Sequence, residues 1–171
     1  MILGFIGTGR ISSSVIEGIF KSNLKIKKIY ISPRNRTIAN KLNKRFKKIT
    51  ISRNNQQLVD KSNWVFLAVT PKIGNKILKK LNFKKNQKII SFISTINLDQ
   101  LKKITKQKTK IVRAIPLPFI SLKKGPVPIF PPDKQVKSFF NKIGTGPLPN
   151  EIGGKGIALT IFVLFLTIFF N

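Results

Sequence analysis

Met1-Ile2-Leu3-Gly4-Phe5-Ile6-Gly7-Thr8-Gly9-Arg10-Ile11-Ser12 is the stretch on which the fold turns. A short apolar run ends at Gly7, and a helical apolar pattern begins at Ile11. The turn between them reads Gly-x-Gly-x-x-Ser. Gly7 suits a tight strand-to-helix turn, and Gly9 has no side chain to obstruct a pyrophosphate. Ser12 is small enough for helix and strand to approach closely. Backbone N–H groups and the dipole at a helix start attract phosphate. The turn residues Gly7, Thr8, Gly9, Arg10 and Ile11 are therefore the expected phosphate-binding set. The motif alone is weak; a strand before it and an amphipathic helix after it give it weight.

Outward from this turn, strands and helices alternate. Ile11, Val15, Ile16, Ile19 and Phe20 share one helical face. Residues 28–31 read as a second strand ending at Ser32-Pro33, and Ile38, Leu42 and Phe46 mark the next helix. A short third strand at 49–51 and a helix or turn at 54–60 follow. The continuous apolar run 64–69 has the character of a parallel strand buried on both faces. Pro71 opens a helix carried by Ile73, Ile77, Leu78 and Leu81, and residues 88–94 form a fifth strand. Asn97 with Gln100 reads as a capping box ahead of Leu101 and Ile104. A sixth strand spans 110–115. Prolines around 127–130 make that run an edge strand. Val136, Phe139, Phe140 and Ile143 define a last helix, with Gly144 as its expected C-terminal cap. The pattern predicts an α/β fold: a doubly wound, mostly parallel Rossmann-type sheet with helices on both faces.

Composition bounds the chemistry. The 171 residues suffice for one ordinary core. There is no cysteine, which excludes disulfides, thiolate metal sites and cysteine nucleophiles, and no histidine, the commonest general base and metal ligand. No metal is expected. The five carboxylates are scattered, none pairs with another at helical spacing, and no catalytic residue is assigned. Met1 leads straight into the first apolar run without a basic region, so a cytoplasmic protein without a secretory leader is expected. The net charge of +28 raises nucleic acid as a partner. The lysines, however, recur on several separate predicted helices, and no recognition motif accompanies them. A solvated basic surface that attracts anionic cofactors is the reading adopted, with no specific nucleic acid.

A dinucleotide site of NAD type needs an acidic residue after the second strand, about 20 residues beyond the glycines, to bind a ribose hydroxyl. Here that region reads Ser32-Pro33-Arg34-Asn35-Arg36, and no carboxylate occurs between Glu17 and Asp60. A hydroxyl and a guanidinium would hold a 2′-phosphate that a carboxylate would repel. Ser32 and Arg34 are the candidate residues, and NADP is the expected cofactor.

With these residues in view, roughly residues 1–144 resemble the N-terminal NADP-binding domain of pyrroline-5-carboxylate reductase. Gly4-Phe5-Ile6-Gly7-Thr8-Gly9 matches that family's opening motif. Asn55, Val59 and Trp64-Val65-Phe66-Leu67-Ala68-Val69-Thr70-Pro71 match its asparagine and its Leu-Ala-Val-Lys-Pro strand end. The resemblance implies that Asn55 touches the adenosine side of the cofactor. It also implies that Ala68, Val69, Thr70 and Pro71 lie along the ribose and nicotinamide. Thr70 stands where the family commonly has lysine. Ser91 through Thr95 parallels a Ser-x-x-Ala-Gly turn with both final residues altered, and Arg113-Ala114-Ile115-Pro116-Leu117 aligns with Arg-x-Met-Pro-Asn except that Leu117 replaces the asparagine. The implied activity is NADPH-dependent reduction of a small-molecule cyclic imine, 1-pyrroline-5-carboxylate, to L-proline. The family's helical C-terminal domain, which supplies dimerisation and much of the substrate pocket, has no counterpart after Gly144. Homo-oligomerisation is thus implied by the resemblance without the element that carries it. Two alternatives follow: a non-catalytic NADP-binding remnant, or a basic nucleic-acid-binding protein.

Beyond the domain at 1–144, residues 145–156 form a linker rich in Gly and Pro, and 157–171 an apolar tail relieved by Thr160 and Thr167. A helix over 157–170 would reach about 21 Å at 1.5 Å per residue, short of a hydrocarbon core of roughly 30 Å. The expectations for it are a membrane anchor, a helix for a partner, or the aberrant end of a truncated reading frame, with aggregation of the full chain the first expected outcome.

Overall fold

The computed structural model describes residues 1–106 and 110–144. The expected linker and tail lie outside the described residues. Among the described residues seven strands form one sheet in the order β3-β2-β1-β4-β5-β6-β7. They are β1 (Ile2–Ile6), β2 (Lys28–Ile31), β3 (Ile49–Ile51), β4 (Trp64–Leu67), β5 (Lys88–Ser91), β6 (Ile111–Ala114) and β7 (Ile129–Phe130). Every pairing is parallel except β6 with β7. Among the described residues the six α-helices are α1 (Arg10–Lys21), α2 (Arg36–Arg45), α3 (Asn55–Lys61), α4 (Pro71–Leu78), α5 (Leu98–Thr105) and α6 (Lys134–Asn141). Chain order reverses at β1: the chain moves outward to β2 and β3, then crosses back to β4. Among the described residues no helix is long and apolar enough to cross a membrane.

Alternation along the strands divides the core in two. Leu3, Phe5, Phe66, Ile90 and Val112 face α1, α2 and α6. Ile6, Val65, Leu67, Ile89 and Ile111 face α3, α4 and α5. Register brings Phe5 beside Phe66 on neighbouring strands. Their rings stack at 4.4 Å between centroids, and both are fully buried. Each such ring contributes about 1.5–3 kcal/mol through burial. Of the apolar face expected on the first helix, Val15, Ile16 and Ile19 are buried, and Ile11 and Phe20 pack at its margin.

The structure shortens several expected strands. The run 88–94 is a strand only to Ser91, whose Oγ accepts from the Ile93 amide and bends the chain out of the sheet. The run 64–69 leaves the sheet after Leu67, although the Ala68 amide still donates to the Ile6 carbonyl at 2.8 Å. The edge strand is two residues long and antiparallel. Gly144 is not a left-handed helix cap. α6 ends at Asn141, and the Gly144 amide donates back to the Phe140 carbonyl at 2.8 Å from outside the left-handed region.

Candidate functional site

Four helices have their starts closed by a side chain: Asn35 on α2, Asn54 on α3, Asn97 on α5 and Asp133 on α6 accept from first-turn amides. The starts of α1, at Gly9, and α4, at Thr70, have no side-chain cap. Amides of a first turn lack intrahelical acceptors, so an uncapped start keeps its donors for solvent or ligand. Both open starts follow the C-terminal ends of adjacent strands, β1 and β4, where the chain order reverses. In open α/β sheets a ligand crevice forms there.

The glycine turn is built for close approach. Gly7 has φ +103°, and a Cβ on it would collide with the Ala68 carbonyl of the β4 turn. The expected phosphate turn and the expected nicotinamide segment therefore touch. Gly9 has nothing within 4 Å of its Cβ direction, which leaves open space above the helix start. The Ser12 hydroxyl donates to the Gly7 carbonyl at 2.6 Å, and that of Ser13 to Gly9 at 3.0 Å, holding the turn from below. Thr8 is buried, and its Oγ1 lies 3.5 Å from the Ser32 carbonyl. Arg10 and Ile11 begin the helix itself, Arg10 exposed and free of ion pairs among the described residues.

Next to this turn, Ser32 ends β2 with its amide on the Phe5 carbonyl at 3.1 Å. Its buried Oγ donates to Asn55 Oδ1 at 2.5 Å, which brings together two residues singled out for different reasons. Ser52, at the end of β3, has a buried Oγ without a partner among the described residues. Arg34 is exposed on the loop after β2 and makes no ion pair among the described residues. Ala68, Val69, Thr70 and Pro71 form the turn from β4 into α4, with Pro71 at the first helical positions, where its missing N–H is no loss. The sequence-predicted residues thus line the C-terminal ends of β1, β2 and β4, with Asn55 arriving from the start of α3.

A family model for NADP oxidoreductase, coenzyme F420-dependent, matches residues 2–97, more than half of the chain. The chain belongs to this family. The match contains the glycine turn, the end of β2, Asn55 and the β4–α4 turn of this chain. Solved structures similar to it include 1-pyrroline-5-carboxylate reductase from Streptococcus pyogenes, at 22% identity and TM-score 0.75 over 97% of this chain and 67% of that one. Plasmodium falciparum pyrroline carboxylate reductase with NADP bound is 21% identical, with TM-score 0.73 over 98% of this chain and 66% of that one. Prephenate dehydrogenase from A. aeolicus, in complex with hydroxyphenyl propionate and NAD+, is 18% identical, with TM-score 0.70 over 95% and 63%. At these identities the likeness is one of fold, and the chain spans about two thirds of the length of these proteins. No curated protein matches the sequence.

One residue near the crevice had no role assigned from sequence. Arg113 of β6 sends Nη2 to donate to the Ser94 carbonyl in the turn after β5. Its Nε is buried without a partner among the described residues. Burial lowers the pKa of its guanidinium. The signal in sequence is a lone charge in an apolar strand, Ile111-Val112-Arg113-Ala114.

Proposed function

We propose that this NADP oxidoreductase-family chain binds NADPH and reduces a cyclic C=N bond, in the manner of pyrroline-5-carboxylate reductase. The observation that carries the cofactor reading is the open, uncapped start of α1 at Gly9 beside a β2 end without a carboxylate. Gly7, Thr8, Gly9, Arg10 and Ile11 hold the pyrophosphate. Arg34 holds the 2′-phosphate, joined by Ser32 when its one hydroxyl proton turns from Asn55 Oδ1 to a phosphate oxygen. Asn55 touches the adenosine side, and Ala68, Val69, Thr70 and Pro71 lie along the nicotinamide half. When bound, the nicotinamide supplies the hydride for the imine carbon. The chain's own contribution is orientation: the Gly7–Ala68 contact fixes the phosphate turn against the segment beneath the reacting ring.

The imine substrate is the finer part of the proposal. It is supported by the Leu67-Ala68-Val69-Thr70-Pro71 segment and by the fold likeness to two pyrroline carboxylate reductases. The region 1–144 is proposed as the cofactor domain, in a cytoplasmic protein. Titration with NADPH and NADH, followed by nicotinamide fluorescence, tests the cofactor. NADPH binds more tightly than NADH, and Arg34→Ala weakens NADPH by about tenfold or more while leaving NADH nearly unchanged. Equal or tighter binding of NADH refutes the phosphate assignment. Complementation of a proline auxotroph tests the reaction. Growth establishes reduction of 1-pyrroline-5-carboxylate, whereas NADPH binding without growth favours the non-catalytic reading.

A further inference from the structure

We propose that a groove along α6, at the end of the sheet opposite the cofactor crevice, binds single-stranded nucleic acid without regard to its sequence. The proposal is independent of the cofactor placement above.

Two adjoining hollows make the groove. One, of about 430 Å³, opens where the strands begin: Met1 precedes β1, and Trp64 is the first residue of β4. Phe139 of α6 supports this apolar wall, with its ring 5.4 Å from that of Trp64. Lys134, Gln135, Ser138 and Lys142 close the hollow from the same helix. The other hollow, of about 640 Å³, lies past the end of α6 and shares Lys142 with the first. Lys21 enters it from the end of α1, and Lys123 from the end of the 3₁₀ turn Pro118–Leu122. Between Lys134 and Lys142 the helix advances about 12 Å, at 1.5 Å per residue.

These cations are free of counter-charge. Among the described residues no carboxylate lines either hollow, and none of the four lysines is in an ion pair. Lys21 donates to the Ser121 carbonyl at 2.7 Å, which uses one of its three ammonium protons. Asp133, beside Lys134 in sequence, is buried and engaged with Lys88 and Lys110, and Glu17, one turn before Lys21, pairs with Arg45. Lys21, Lys123 and Lys142 each stand at the C-terminal end of a helix, where a cation is locally favoured. The fold adds something local preference does not: three such ends meet in one hollow, next to an aromatic one.

The occupant follows from charge and shape. A second copy of a chain with net charge +28 is repelled, so the groove calls for a polyanion. Lysines spaced along a groove, with an apolar aromatic hollow between two of them, suit phosphates that carry flat bases. A duplex keeps its bases stacked and offers none to the hollow. Gln135 and Ser138 each present both a donor and an acceptor at its rim, so no one base edge is preferred.

The test uses the full chain and an oligouridylate of about 12 nucleotides. Trp64 is the only tryptophan in the chain, so its emission reports on the groove. The oligonucleotide is expected to quench that emission saturably at about 0.1 M salt. Polyphosphate and poly-L-glutamate, which carry charge without bases, should bind more weakly by about tenfold or more and leave the emission unaltered. Lys142 is exposed, so Lys142→Gln should keep its melting temperature. That variant should bind the oligonucleotide about fivefold more weakly and lower the slope of log affinity against log salt by about 0.7. Lys103→Gln, on α5 at the opposite face of the sheet, should change affinity by about twofold or less and keep the slope. Absence of saturable binding, or binding that leaves Trp64 emission unchanged, overturns the proposal. Equal affinity for the base-free polyanions, or equal losses in Lys142→Gln and Lys103→Gln, overturns it in favour of diffuse surface charge. Displacement of the labelled oligonucleotide by NADPH, read by anisotropy, also overturns it, because the strand would then lie in the cofactor crevice.

Discussion

Two glycines of one motif do different work, and substitution separates them. At Gly7 the positive φ and the Ala68 carbonyl both oppose a side chain. Gly7→Ala is expected to destabilise the fold by about 2 kcal/mol or more, read from urea denaturation. At Gly9 the backbone is extended, with φ −91°, and the space above it is open. Gly9→Ala should leave stability within about 0.5 kcal/mol and weaken NADPH, because the added methyl points where the pyrophosphate approaches. Unaltered NADPH affinity in Gly9→Ala would show that the turn holds something else. The spacing of these glycines is written in the sequence. The obstruction at Gly7 is not, because it comes from the turn after β4, far along the chain. Arg113 has the same limit: a charge in an apolar strand is visible in sequence, but whether a carboxylate meets it depends on how strands and turns are brought together.

At the scale of elements, what is local was legible and what is tertiary was not. The capping box of α5 is complete, Asn97 accepting from the Gln100 amide at 2.8 Å and Gln100 from the Asn97 amide at 3.2 Å. Both partners lie within one turn, so spacing alone announces them. The 3₁₀ turn Pro118–Leu122 went unread because its stability comes from packing Ile120 onto α1. The left-handed Lys106 and Lys123 escaped for a similar reason, since lysine carries no mark of that conformation. α6 depends on Asp133, which caps it at Gln135 and Val136, both at 3.0 Å, and pairs with Lys88 at 2.8 Å. Burial pushes the Asp133 carboxyl upward. The Lys88 hydrogen bond, the Val136 amide and the charges of Lys88 and Lys110 outweigh that and hold it below the usual carboxylate range. A depressed folded pKa means that the stabilisation is full above the unfolded value of about 3.9 and is lost as pH falls through the folded one. Asp133→Ala should cost about 2–4 kcal/mol near neutrality. Asp133→Asn, which keeps a capping oxygen, should cost less. Denaturation profiles between neutral and acidic pH check both, and the variants should show a shallower loss on acidification. A slope identical to that of the unaltered chain would remove Asp133 from the account.

For the whole molecule, charge sets the terms. Thirty-three basic residues face five acidic ones. Among the described residues two of the four ion pairs fall on Asp133 alone, so most cations repel one another across the surface. Screening should therefore act with opposite signs on two observables. Raising salt from about 0.05 M to about 0.5 M shortens the screening length to a few Å. That change should raise the melting temperature by several degrees while reducing NADPH affinity, and binding to a polynucleotide should collapse over the same range. A melting temperature that falls with salt would mean that the surface charges are paired after all. The strand order carries a separate consequence for how coenzyme choice can be altered. Residues proposed for nucleotide choice, Ser32 and Arg34, sit on the β2 side of β1, whereas the β4–α4 turn proposed for the nicotinamide lies on the other side. Under the proposed placement, coenzyme preference and the nicotinamide end are held by separate halves of one sheet, joined at the Gly7–Ala68 contact. On that placement, substitutions at Ser32 or Arg34 should change coenzyme choice without touching the nicotinamide side, provided that Gly7 is kept where a side chain would meet the Ala68 carbonyl.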